Sequence, residues 1–416
     1  MPFRLRMVLW TRPFFPVYSD YTDFLLFASD FALVFTLVFW ACSLVLEPRK
    51  VKAGNPLMFI LLVGLTIAGW VSMLGSVDVI LTRYHAIRFV FLLFYYLYIV
   101  NEITSVYWVV IPAAVQGLIQ APVAIMQSLS QSSLGLGFLG EHVLDPLVLG
   151  MSIIPVNGER FLRAYGLADH PNILGGCLAF ALVLLFTVVL HGKNWQPFFA
   201  GIAFVVIFPA LLLTFSRSAW VSLFVAVSFL VACEALARRW DSVKRLLVLG
   251  VLSLAVVVPF LVNDISVFSQ RVNSGNIADD HPMNERAYLL DAGNTLFVEH
   301  SAIGVGLGAS PYAMKKRFED FRVNYQPPHF TPLLSALETG VIGGGVYLLL
   351  FIVPGLTFLL RWRHYIQHPL ALGAFSLLLA ISVVNFFDYY TWMYAPGRLW
   401  QWLAWGLYSV VLEQVG

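Results

Sequence analysis

Apolar stretches recur along the chain between polar links. Each is close to the length of about 20 residues that a helix needs to cross the hydrocarbon core of a bilayer. The pattern predicts eleven crossing helices, at 24–46, 56–76, 84–100, 104–127, 172–190, 197–214, 218–237, 246–262, 336–360, 369–387 and 397–413. Pro112 and Pro122 fall inside the fourth and Pro354 inside the ninth. Kinks are tolerable there because neighbouring helices satisfy the freed backbone groups. Two long polar segments, 128–171 and 263–335, interrupt the series. In the second, Tyr288, Leu289, Ala292, Leu296 and Phe297 fall near helical spacing, so 284–297 reads as a helix that Gly304 to Gly308 breaks. A second short helix is expected over 311–321, ending before Pro327-Pro328.

Lys and Arg in short loops set the orientation. Arg49, Lys50 and Lys52, Lys193, the group Arg238, Arg239, Lys244 and Arg245, and the pair Arg361 and Arg363 all fall on one side, which is therefore cytoplasmic. Both long segments and the turns near Ser216–Ser218 and Asp388–Arg398 then face the opposite side. Arg4, Arg6 and Arg12 conflict with this count. Either a twelfth crossing is hidden, or residues 1–20 lie in the membrane interface. The start shows no apolar core followed by a small-residue cleavage site. The expected fold class is an all-α polytopic membrane protein, a bundle of 11–12 transmembrane helices with a large, partly helical external segment. Its expected parts are an N-terminal bundle (1–262, with loop 128–171), a catalytic segment (263–335) and C-terminal transmembrane helices (336–416).

Composition agrees. Of 416 residues, 59% are hydrophobic and 12% charged, against about 25% charged in soluble domains; mean hydropathy is +0.80. A net charge of +2 gives no argument for nucleic acid. Cys42, Cys177 and Cys233 lie in apolar runs without CxxC spacing and read as buried small hydrophobes.

Four short motifs at the ends of spans carry candidate chemistry. In RAYGLADHPN (163–172), Arg163 can grip phosphate, and Asn172 reads as a helix N-cap or as the first helical residue after Pro171. A helix start also favours an anion, while an ordinary cap beside a surface arginine explains the motif equally well. In TFSRSAW (214–220), Arg217 sits between apolar runs; it either snorkels to the interface or faces a partner or water. Glu285-Arg286 leads to the glycines of SAIGVGLG (301–308). These lack the strand–helix context of a nucleotide loop and suit close backbone approach. Arg286 can also serve as a structural bridge to Glu285 or Asp291. His329 opens a helix after Pro327-Pro328, and imidazole, titrating near pH 6.5, suits a general base on a hydroxyl. Asp388 can orient His329, hold an arginine, bind a sugar hydroxyl, or stand as a helix-end acid in water. Asp279-Asp280-His281 lacks metal-site spacing and reads as solvated loop; no metal or cofactor is implied.

Taken together, RAYGLADHPNILGG (163–176), LLLTFSRSAW (211–220), ERAYLLDAGNTLFVEHSAIGVGLGAS (285–310) and HFTPLLSALETGVIGG (329–344) resemble the O-antigen ligase and polymerase superfamily, in order and in spacing, over roughly 160–410. The resemblance implies a helical bundle, commonly of twelve spans with cytoplasmic termini, in the bacterial inner membrane, with a periplasmic segment holding the site. It implies metal-independent inverting transfer of a glycan from undecaprenyl diphosphate to a sugar of lipid A–core. By the same resemblance His329 takes the place of the family histidine, and Arg163, Arg217 and Arg286 those of family arginines. Phe330 departs from the family's usual Asn after the histidine.

The chemistry fits this expectation. A diphosphate leaves as a stable anion, so fixed arginine charge serves it better than a general acid, and the acceptor hydroxyl needs a base. The expected reaction is O-antigen ligation in lipopolysaccharide biosynthesis. Its expected partners are the undecaprenyl-diphosphate-linked glycan, the lipid A–core acceptor and the bilayer. His329 is the expected base, Arg217, Arg286 and Arg163 the diphosphate ligands, and Asp388 and Asn172 the supports. Rivals are an O-antigen polymerase, a protein O-oligosaccharyltransferase (expected to have a longer C-terminal region) and a transporter or flippase (expected to show inverted repeats and midplane charges).

Overall fold

The computed structural model describes residues 3–148, 150–272 and 280–415. In chain order the elements are β1 (Arg6–Trp10), α1 (Ser19–Thr22), β2 (Phe24–Phe27), α2 (Ala28–Leu46), α3 (Pro56–Val71), α4 (Val79–Glu102), α5 (Tyr107–Ser130), β3 (Ile153–Val156), β4 (Glu159–Leu162), α6 (Pro171–His191), α7 (Gln196–Leu213), α8 (Arg217–Leu236), α9 (Trp240–Asn263), α10 (Ile265–Val272), α11 (Asp280–Glu299), α12 (Ser310–Arg317), α13 (Thr331–Tyr365), α14 (Pro369–Asn385), α15 (Tyr390–Met393) and α16 (Ala395–Val415).

A helix stands at each of the eleven expected spans. Among the described residues nine are long and apolar enough to cross a membrane. The other two are α14, only 17 residues long, and α16, whose apolar run is diluted by Arg398, Gln401 and Glu413. The chain is an all-α, multi-pass membrane protein. Local chemistry sets several ends. Asn55 caps α3 by accepting from Met58 N at 3.1 Å, with Pro56 at the first helical position. Asp78 caps α4 by accepting from Leu81 N at 2.9 Å.

The first expected span begins four residues late. Residues 24–27 are not helical but form β2, antiparallel to β1 with Arg6 opposite Phe27. A short apolar run does not by itself distinguish strand from helix. Residues 1–20, where a hidden twelfth crossing or an interfacial segment was expected, hold β1 of this hairpin and, among the described residues, no helix long enough to cross. The conflicting arginines are neutralised by carboxylates: Arg6 by Asp20 at 2.5 Å and Arg12 by Asp78 at 2.8 Å. Cys42, expected to be buried, is exposed, because α2 turns most of its surface outward; Cys177 and Cys233 are buried. Asp279 lies outside the described residues, as do the side chains of Asp280 and His281.

The chain divides into two compact units. The first comprises Met1–Leu5, Ser105–Asp280 and Arg361–Val384. Its centre is α6, every residue of which from Pro171 to Leu190 is buried, as a helix apolar on all sides requires. Helices α5, α7, α8 and α9 pack around it. Gly175 lets the α7–α8 link approach: a Cβ there would stand 2.8 Å from Thr214 Oγ1 and 2.9 Å from Ser216 Cβ.

The second unit comprises Arg6–Thr104, His281–Leu360 and Asn385–Gly416. Helix α4 packs on α2, α3 and α16. Helix α13 is interrupted at Gly340, where φ is +73°. The carbonyls of Leu337 and Glu338 accept instead from Val305 N (2.9 Å) and Gly306 N (3.1 Å), and Val341 N donates to Ser301 O (2.8 Å). The expected role of the 304–308 glycines is thereby observed. A Cβ on Gly304 would lie 2.6 Å from the Glu338 carbonyl oxygen, and one on Gly340 2.4 Å from that of Ala302. Only glycine permits both the contact and the positive φ.

Candidate functional site

In the second unit, Pro327-Pro328 keep the chain extended up to His329, and α13 begins two residues later. Thr331 Oγ1 donates to the Asp388 carbonyl at 2.6 Å, tying the start of α13 to the turn after α14. The Asp388 side chain is fixed by Tyr389 N, which donates to Oδ1 at 2.9 Å, and the residue is 4% exposed. Oδ1 stands 3.7 Å from His329 Nδ1. That is beyond a hydrogen bond but within ion-pair range. Nδ1 is buried and has no hydrogen-bond partner.

Tyr389 completes the cluster. Its ring meets the imidazole edge-on, with centroids 4.7 Å apart. Its hydroxyl shares a 2.6 Å hydrogen bond with Tyr21 and lies 3.3 Å from Gln326 Oε1. Burial, with Tyr21 next, holds the Tyr389 phenol far above its usual value, so it keeps its proton at neutral pH. Burial, and after it the Arg286 guanidinium, holds His329 well below the usual imidazole value. At neutral pH His329 is an uncharged base beside a carboxylate. Arg286 is half-buried on α11. Next to it in sequence, Glu285 lines a polar cavity of about 460 Å³ with Asp320, Arg322 and Asn324.

In the first unit, Arg163 follows β4 and is 5% exposed. It donates from Nε to Thr214 O (2.8 Å), from Nη1 to Ser152 Oγ (2.7 Å) and from Nη2 to Asn172 Oδ1 (2.6 Å). One guanidinium thus ties the 152–163 hairpin, the start of α6 and the α7–α8 link together. Asn172 is neither the cap nor the first helical residue: His170 caps α6, its Nδ1 accepting from Asn172 N at 3.1 Å, and Pro171 occupies the first position. Arg217 is the half-buried first residue of α8. Just before it, buried Phe215 holds φ +49°, strained for a residue with a Cβ. It is wedged against Phe268 (centroids 4.7 Å) and Phe161 (5.8 Å), and its carbonyl accepts from Arg271 Nε at 3.0 Å.

The second unit therefore brings His329, Asp388 and Arg286 together. The first unit gathers Arg163 and Asn172 beside the link that leads into Arg217. Sequence reasoning missed Tyr21, Gln326 and Tyr389, for which no local signal exists. It also gave no role to Glu338. That carboxylate is fully buried and accepts from Gly308 N (2.7 Å), Ser310 Oγ (2.7 Å) and Trp392 Nε1 (2.7 Å). An ionisable residue inside an apolar span was the available signal.

No curated protein matches the chain. A family model described as O-antigen ligase matches residues 202–348, a segment that holds Arg217, Arg286 and His329 and leaves Arg163 and Asp388 outside. Three of the four motifs read in the sequence lie within it. Over this segment, about a third of its length, the chain is similar to the O-antigen ligase family.

Proposed function

We propose that the protein is an O-antigen ligase of the bacterial inner membrane. On this reading it transfers a glycan from undecaprenyl diphosphate to a sugar hydroxyl of lipid A–core at the periplasmic face. The observation that carries the reading is the neutral His329 facing Asp388 across 3.7 Å. With its proton on Nδ1, directed at Asp388, the imidazole keeps a lone pair on Nε2. Nε2 takes the proton of the acceptor hydroxyl as that oxygen bonds to the anomeric carbon. The bond from that carbon to the donor phosphate breaks on the opposite face, inverting the centre. Undecaprenyl diphosphate leaves, and His329 returns its proton to water.

The leaving diphosphate gathers charge, which fixed cations stabilise without reorganising. Arg286, beside His329 in the second unit, takes this role. In the first unit Arg217 and Arg163 are the proposed phosphate ligands, with Asn172 steadying Arg163. An apolar cavity of about 460 Å³, lined by Leu211, Trp220, Phe224 and Leu249 among others, lies just beyond Arg217 in sequence and suits a prenyl chain. Resting charge on Arg286 also keeps His329 unprotonated between turnovers.

The test is transfer by purified protein from a lipid-linked donor to three acceptors offered separately: lipid A–core, a lipid-linked glycan and pilin. Ligation predicts product on lipid A–core, and a loss of at least about 10²-fold in His329→Ala, the lower range for general-base catalysis. Product on the lipid-linked glycan alone would make the protein a polymerase. Full activity in His329→Ala would remove the base assignment.

A further inference from the structure

Helices α2, α4 and α16 of the second unit enclose a cavity of about 190 Å³ that the reaction above does not use. Two arginines line it. Arg88 is answered: Nη1 donates to the Tyr84 hydroxyl at 2.7 Å, and Nη2 pairs with Asp30. Arg398 is not. It is 3% exposed, with Nε bonded to the Trp392 carbonyl, Nη1 3.2 Å from His85 Nδ1, and Nη2 buried without any hydrogen-bond partner. Among the described residues no carboxylate pairs with it. The carboxylates whose charge reaches it are engaged elsewhere, Glu338 by Gly308, Ser310 and Trp392, and Asp30 by Arg88.

A guanidinium among apolar helices calls for an anion, and an orphaned N–H for an acceptor. A phosphate oxygen answers both needs. Asp30 and Tyr84 also line the cavity, both held by Arg88, and the rest of the wall is apolar, including Leu33, Val34, Ile87 and Phe91. Val34, Ile87 and Phe91 are exposed on the outer surfaces of their helices, so the cavity is continuous with a surface that meets lipid tails. Its volume is roughly six times the ~30 Å³ share of one liquid water, enough for a phosphate but not for a glycan.

We propose that this cavity binds the phosphate of a lipid, with Arg398 as its ligand and the acyl or prenyl chain leaving between α2 and α4. The site does not depend on the transfer reaction, because binding is read without turnover.

The experiment uses full-length protein in nanodiscs. Phosphatidylglycerol, undecaprenyl phosphate and lipid A–core are titrated separately, with uncharged diacylglycerol as comparator, and occupancy is followed by native mass spectrometry. At least one phosphorylated lipid should bind about tenfold or more tightly than diacylglycerol. Arg398→Gln should abolish that preference. So should Val34→Trp, which fills the cavity from its rim without touching Arg398's own bonds and decides the matter if Arg398→Gln fails to fold. Preference for phosphatidylglycerol identifies a bilayer lipid, and preference for either of the others a substrate lipid; each supports the site. Equal binding of phosphorylated and uncharged lipids, or undiminished preference in Val34→Trp, would overturn it.

Discussion

Asp388→Asn isolates the charge that the His329 mechanism requires. The amide keeps the shape of the carboxylate and can still accept from Tyr389 N, so the turn after α14 should survive. What disappears is the negative charge 3.7 Å from His329 Nδ1. At that separation a carboxylate favours an imidazolium by about 4.5 kcal/mol at an effective dielectric near 20, and by about 1.1 kcal/mol in bulk water. The His329 side chain is 17% exposed, which places it nearer the first limit. Each 1.36 kcal/mol is a factor of ten in rate, so kcat should fall by about 10- to 10³-fold. The assay is the initial rate of glycan transfer to lipid A–core between about pH 5 and about pH 9, spanning the usual imidazole value, with thermal melting to confirm folding. The direction of the acid limb is diagnostic. Only unprotonated His329 acts as base, and Asp388 favours the protonated form. Removing its charge should move the limb to lower pH while the plateau drops. A purely structural Asp388 would lower the rate and leave the limb in place. An unchanged plateau, or a limb moved to higher pH, would refute the reasoning.

Arg286→Gln should act oppositely on the same limb. Without the neighbouring cation the imidazole rises toward its usual value of about 6.5, so activity near pH 6 should fall more than activity near pH 8, and the donor KM should rise; an unmoved limb would exclude Arg286 from the site. Gly340→Ala would place a Cβ 2.4 Å from the Ala302 carbonyl at φ +73°, a strain of at least about 1–3 kcal/mol. It should lower Tm clearly relative to Gly345→Ala, where a Cβ meets nothing within 4 Å, and equal melting of the two variants would contradict the interruption in α13.

The spans were legible because hydropathy alone fixes what a bilayer accepts. Helix ends were less so: α4 begins at Val79 and not at 84, because the Asp78 cap outweighs the polar residues of its first turns. The 24–27 strand depends on pairing with residues 6–10, a tertiary choice invisible in the local run. At the site, residue types suggested a base, an acid and cations. Yet the approach of His329 to Asp388 links the lead-in to α13 with the turn after α14, and Tyr21 meets Tyr389 across 368 residues of chain. Arg163 shows the limit of reading by type: the sequence offered a phosphate ligand, and the structure adds three hydrogen bonds that make it a clamp.

The break at Gly340 turns the first part of α13 into a ruler. One end is pinned where Thr331 grips the Asp388 carbonyl, the other where Val341 N meets Ser301 O. A helix advances about 1.5 Å and turns about 100° per residue. Adding or deleting one residue between these anchors would swing His329 away from its carboxylate even with every side chain retained. Substitutions along this stretch are a matter of degree, but its length is not negotiable.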